Sequence, residues 1–89
     1  MGQIKITPQE LRDLASALTR NASEVSQLAS TLKNNVNNRT ANWEGKSKTR
    51  YINDFNAIYP TLATKLPQLL EAMAKDLRDT ATRFEQFDQ

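Results

Sequence analysis

Cysteine and histidine are both missing from this chain of 89 residues. Without thiols there is no disulfide and no thiolate nucleophile. Without either residue, zinc sites of the usual ligand types and the commonest general base are excluded as well. A chain this short is near the lower limit for burying a useful core by itself, and only 38% of its residues are apolar. What holds it together must therefore be packing or association with another chain. Long apolar runs are also lacking. The start, MGQIKITPQE, has no continuous apolar stretch of ~7 to 15 residues, and nothing approaches the ~20 residues of a membrane span. The expectation is a chain made in the cytoplasm without a Sec-type signal and without stable membrane insertion.

Neither sign of charge dominates: 12 lysines and arginines stand against 10 acidic residues. The distribution is more informative than the total. Residues 30–50 carry Lys33, Arg39, Lys46, Lys48 and Arg50 against Glu44 alone, whereas residues 71–89 carry Glu71, Asp76, Asp79, Glu85 and Asp88 against Lys75, Arg78 and Arg83. The middle is basic and the C-terminal end acidic. A balanced total with no basic stripe and no recognised DNA-binding motif stands against a nucleic-acid partner, although a basic helical dimer gripping phosphates is the second reading of the pattern.

What is present is helical periodicity. Thr7-Pro8-Gln9-Glu10 is a helix start: Thr7 can cap free backbone N–H groups, Pro8 suits the first helical position, and Glu10 completes a capping box. Leu11, Leu14, Ala15, Leu18, Ala22, Val25, Leu28, Ala29, Leu32 and Val36 then recur at steps of three and four, which predicts a first helix over about 7–40. The run NNVNNRTAN, residues 34–42, is rich in poor helix formers and predicts fraying before Trp43. Gly45 permits a reversal.

A second helix is predicted over about 46–87, with Tyr51, Phe55, Ile58, Leu62, Leu66, Leu69, Met73, Leu77 and Phe84 on one broad stripe. Ile52, Tyr59, Ala63, Leu70, Ala74 and Ala81 widen it toward a second face. Pro60 and Pro67 each remove a helical hydrogen bond. They either break this arm into two helices or bend one long helix, and a stripe that stays in phase through both favours the bend.

The fold class is all-α: an antiparallel helical hairpin forming a single domain over residues 1–89. Its second arm has more apolar surface than the first can cover, so two hairpins are expected to pair into a four-helix-bundle dimer. Leu62, Leu66, Leu69, Met73 and Leu77 are the candidates for that core, some of them at the dimer interface. Asp76 with Asp79, and Glu85 with Asp88, are carboxylate pairs at helical spacing, but an exposed helix face has no desolvated pocket to split their pKa values. No catalytic residue, metal site or cofactor is expected.

Trp43-Glu44-Gly45 midway between two long amphipathic helices, with the capped start IKITPQEL, resembles the WXG family of small ESAT-like or Esx proteins of type VII secretion, in its Gram-positive form. The similarity covers essentially the whole chain. Members carry a C-terminal aromatic residue followed four positions later by an acid. Phe84 and Asp88 stand at that spacing, with phenylalanine in place of the usual tyrosine and hence without its hydroxyl. Phenylalanine here also resembles a subset of Gram-positive members, some of which pair with the helical N-terminus of a larger exported toxin.

The resemblance implies a secreted protein whose export signal combines Trp43 and Gly45 of one protomer with Phe84 and Asp88 of the other. It implies pairing as a homodimer, or as a heterodimer with another WXG-type chain or a toxin's N-terminal helical domain, and reading by a type VII secretion ATPase. The charges suit a head-to-tail pair, since a basic turn would then meet an acidic tail.

Overall fold

The computed structural model of the chain describes residues 6–87, and among these there is no strand. Helix α1 spans Pro8–Arg39, α2 spans Lys46–Pro60, a π-helical turn spans Thr61–Lys65, and α3 spans Leu66–Phe87. The path from Lys46 to Phe87 stays helical throughout, so the two arms form a hairpin 66 Å long and 19 to 21 Å across.

The start of α1 follows from its sequence. The Glu10 amide donates to Thr7 Oγ1 at 3.0 Å, and the Thr7 amide donates to Glu10 Oε1 at 3.2 Å, closing the capping box ahead of Pro8. The helix ends inside the asparagine-rich stretch and before Trp43, as expected, although Asn34, Asn35, Asn37 and Asn38 are still helical and Arg39 is its last residue. Thr40 terminates it. Its backbone amide and its hydroxyl both donate to the Val36 carbonyl, at 3.0 and 2.6 Å, and the residue is buried. Arg39 in the last turn adds a charge that the helix dipole favours.

The arms are joined by a seam of small side chains. Ala15, Ala22 and Ala29 of α1 repeat every seventh residue and are buried, as are Ala74 and Ala81 of α3; Leu11 is the one buried large side chain among the described residues. Alanine lets two helix backbones approach at the short end of the usual 8–10 Å separation. Larger residues must then sit beside the seam. Within the second arm it is the set containing Ala74 and Ala81 that turns inward, and the broad leucine stripe is displaced to the flank.

Pro60 and Pro67 do not break the arm. The Leu66 amide donates to the Thr61 carbonyl five residues back, and the Thr61 amide to the Ile58 carbonyl three residues back. The hydrogen-bond pattern is shifted in this turn, between two positions where proline has no amide to donate. Beyond it, α2 has no buried residue, and α1 packs mainly on α3.

The reversal depends on Gly45, whose φ of +107° and ψ of −179° lie in a region that is essentially restricted to glycine. A Cβ there would meet nothing within 4 Å, so the requirement is one of backbone conformation and not of space. Gly45→Ala is therefore expected to destabilise the hairpin by about 1–3 kcal/mol, read as a lower Tm by circular dichroism with no loss of helical content at low temperature. Ala74→Leu tests the seam. Forcing three more heavy atoms between close helices should cost about 1–3 kcal/mol by overpacking, whereas an unchanged or raised Tm would mean the arms are not in close contact there.

Candidate functional site

The two sides of the alanine seam differ in chemistry. On one side Arg12 forms an ion pair with Glu85 and reaches Thr82 Oγ1 at 3.4 Å, and Arg78 donates to Thr19 Oγ1 at 3.0 Å. Further along, the Lys33 ammonium sits 5.1 Å from the centre of the Tyr59 ring. These contacts bridge the arms with groups that remain largely hydrated, each worth about 0–1 kcal/mol. Their role is alignment. They hold the C-terminal part of α3 beside the start of α1.

The other side is apolar and open. Leu14 and Leu18 of α1 and Met73 and Leu77 of α3 line a groove of about 380 Å³, with Asp76 and Thr80 at its edge. Leu14, Leu28, Ile58, Leu69 and Met73 all leave 45 to 58% of their surface exposed. Phe87, which the stripe did not obviously include, is 84% exposed. It stands fourteen residues after Met73 and seven after Thr80, on the same row; that heptad spacing is the signal that identifies it. Isolated exposed leucines need no explanation, but a contiguous row of them does.

Of the five core candidates, Leu62, Leu66 and Leu77 are half-buried, and Leu69 and Met73 are exposed in the single hairpin. All have unused apolar surface.

Trp43 lies in the turn, tied to the end of α1 through its amide, which donates to the Thr40 carbonyl at 3.0 Å. Its indole packs on the Tyr51 ring with centroids 5.7 Å apart and planes tilted by 49°, and it remains 39% exposed. With Leu32, Val36, Arg39 and Tyr51 it lines a second open groove, of about 440 Å³. An apolar floor beside a guanidinium suits an aromatic or acidic group from another chain. The contribution of Tyr51 was not legible in the sequence, because an intervening turn sets which residue of α2 meets the indole.

Lys46 and Lys48 open α2 with no acidic residue in its first turn, an arrangement the helix dipole disfavours. They make the closed end of the hairpin strongly cationic. Phe84 is half-buried near the opposite, open end of the rod, so a single chain does not bring it to Trp43. Asp88 lies outside the described residues.

Acidic clusters suited to metal are not found among the described residues. Asp76 and Asp79 lie on the exposed face of α3. The Lys75 ammonium donates to Asp79 at 2.9 Å, and that hydrogen bond, followed by the charge of Asp79, raises the lysine pKa above its ordinary value. This is a solvated helix pair of the i,i+4 kind. No helix among the described residues is long and apolar enough to cross a membrane.

Residues 3–89 match the family WXG100, described as proteins of 100 residues with WXG. The type VII secretion system extracellular protein A of Staphylococcus aureus (strain USA300) is 30% identical over 89 residues, which is 100% of this chain and 91% of that protein. EsxA of Geobacillus thermodenitrificans, in crystal form I, superposes with a TM-score of 0.85 at 30% identity, covering 98% of this chain and 94% of that one. The secreted protein EsxB of Bacillus anthracis str. Sterne superposes with a TM-score of 0.80 at 27% identity, covering 100% of both. With Trp43-Glu44-Gly45 at the reversal between two long helical arms and a match over nearly its whole length, the chain belongs to the WXG100 family of small proteins associated with type VII secretion.

Proposed function

We propose that this protein is exported by a type VII secretion system as a head-to-tail pair of helical hairpins, and that its export signal is complete only in the pair. The observation that carries this reading is the open apolar flank. A hairpin 66 Å long and 19 to 21 Å across has room along one side for the ~800 Å² per partner of a stable interface. Its leucines and Met73 would gain about 25 cal/mol for each Å² removed from water. The opposite flank is already occupied by arginine and threonine contacts between the arms.

Charge selects the orientation. In a head-to-tail pair the cationic turn around Lys46 and Lys48 meets the acidic C-terminal end of the partner, whereas parallel pairing stacks like on like. Trp43 and Gly45 of one hairpin then lie near Phe84 and Asp88 of the other, which a hairpin with these groups at opposite ends cannot achieve alone. The exposed part of the Trp43 ring and its groove remain available to the secretion ATPase. The naming of relatives as a type VII secretion extracellular protein and a secreted protein supports release from the cell.

The same surface fits a second WXG-type hairpin or the helical N-terminal domain of a larger exported toxin, in which case the chain serves as a co-secretion partner. Sedimentation of the purified protein separates these. A mass of two chains is expected for self-pairing, and a stable monomer that gains helical order only with a second protein indicates the heterologous pair. Leu69→Ser combined with Met73→Ser should weaken the pairing by about tenfold or more while the helical spectrum persists; unchanged affinity would remove this flank as the interface.

Export is tested separately with Trp43→Ala, Phe84→Ala and Asp88→Ala, each shown by circular dichroism to be folded. All three are expected to accumulate in the cell and to be depleted from the medium. Normal release of every variant would refute the two-part signal.

A further inference from the structure

Phe87 is the most exposed large apolar side chain among the described residues, and the packing of its own hairpin makes no use of it. Phe84, one turn earlier, is half-buried and so already committed to that packing. Because Arg12 pairs with Glu85, Phe87 is level with the first turn of α1, at the open tip of the rod and beyond the groove formed by Leu14, Leu18, Met73 and Leu77.

The groove around Trp43 lies on the same flank. In α1, Leu14 and Leu18 stand one residue before and three residues after the seam residue Ala15; Asn35 and Arg39 hold the same two places about Val36, three sevens further on. In α3 the same places about Ala74 belong to Met73 and Leu77, and Phe87 is the last member of the row that runs from Met73 through Thr80. A row repeating at seven keeps to one side of two closely packed helices. One flank thus carries a projecting aromatic ring at its open tip and an apolar groove at its closed tip.

We propose that Phe87 of each hairpin is an anchor that seats in the Trp43–Tyr51 groove of its partner, a second copy of this chain. The inference rests on the head-to-tail pair proposed above: two rods of equal length then set each open tip beside the other's closed tip, and two-fold symmetry makes the contact twice. The groove of about 440 Å³ has apolar walls from Leu32, Val36, Trp43 and Tyr51. Its two rings are tilted, with centroids 5.7 Å apart, and are 39% and 48% exposed, which leaves surface for a third ring. Charge separates this groove from the other one. Arg39 lines it, whereas Asp76 borders the groove at Leu14, and Asp88 follows Phe87 in the sequence; the basic groove attracts that segment and the acidic edge repels it. An aromatic ring filling a partner's pocket is the kind of contact that carries a disproportionate share of binding energy.

The chain has no cysteine, so a two-cysteine variant reports the contact directly. Asn35 and Phe87 stand toward opposite ends of a 66 Å rod, far beyond the ~7 Å between Cα atoms that a disulfide tolerates within one chain. Asn35→Cys combined with Phe87→Cys is expected to give a covalent two-chain species on mild oxidation, and neither single-cysteine variant should do so. Asn35→Cys combined with Gln86→Cys moves the second thiol to an exposed site turned by about 100° around α3, and should crosslink about tenfold more slowly or less. Phe87→Ala should weaken association about tenfold or more and shift the emission of Trp43, the only tryptophan, to the red, with helical content unchanged.

Sedimentation of the parent protein separates this inference from the pairing on which it rests. A parent dimer with no crosslink between residues 35 and 87, with equal crosslinking at residue 86, or with parental association and emission in Phe87→Ala would overturn the anchor and leave the paired flank standing. A parent monomer would overturn both.

Discussion

The close approach of two helices along alanine is the constraint from which the other features follow. Ala15, Ala22, Ala29, Ala74 and Ala81 bury little area each, so the seam contributes less hydrophobic stabilisation than a leucine core of equal length would. It has a geometric effect instead. By narrowing the gap, it leaves no room between the arms for Leu14, Leu28, Leu69 or Met73, and these emerge together on one side. The polar contacts from Arg12 and Arg78 close the other side and make the hairpin two-faced. A molecule built this way has a modest interior and a large apolar exterior, and the proposed association would address both.

The local signals of the chain were legible because each acts within a few residues. Thr7, Pro8 and Glu10 specify a helix start through hydrogen bonds three residues apart, and Gly45 specifies a reversal through a backbone conformation available to little else. The facing of the second arm was less legible. Leucine, methionine and the aromatic residues dominate any hydrophobic pattern, so their stripe stands out, while the alanine set beside it looks like a margin. Periodicity identifies the apolar side of a helix; it does not say which of two adjacent rows meets the nearer partner. Side-chain size decides that, because only the small row permits the close approach.

The fate of the prolines was hidden for a related reason. A stripe advancing by threes and fours passes through Leu62, Leu66 and Leu69 whether or not an extra residue is present, so it fits both a plain helix and one with a π turn. Rows counted by sevens are more demanding, and only there does the eighth residue show. The asparagine-rich end of α1 is the opposite case. Low intrinsic propensity placed the end of the helix in this stretch, and Thr40, which satisfies the carbonyl of Val36 twice over, fixes where it falls.

The candidate site was legible as a set of residues and not as a place. Trp43 and Gly45 stand at one end of a 66 Å rod and Phe84 near the other, and no rearrangement within an intact hairpin brings them together. Trp43 is only partly covered, by Tyr51 and by the end of α1, and its groove combines apolar walls with Arg39. In the proposed pair such a surface is half of a recognition site. The other half would be brought by a second chain, in the orientation that sets acidic tail against basic turn. Recognition that requires both halves also rejects unpaired chains, because neither end alone presents the aromatic and acidic groups beside the indole. Selectivity for the assembled pair would then follow from the length of the helices and the placement of the turn, without any moving part.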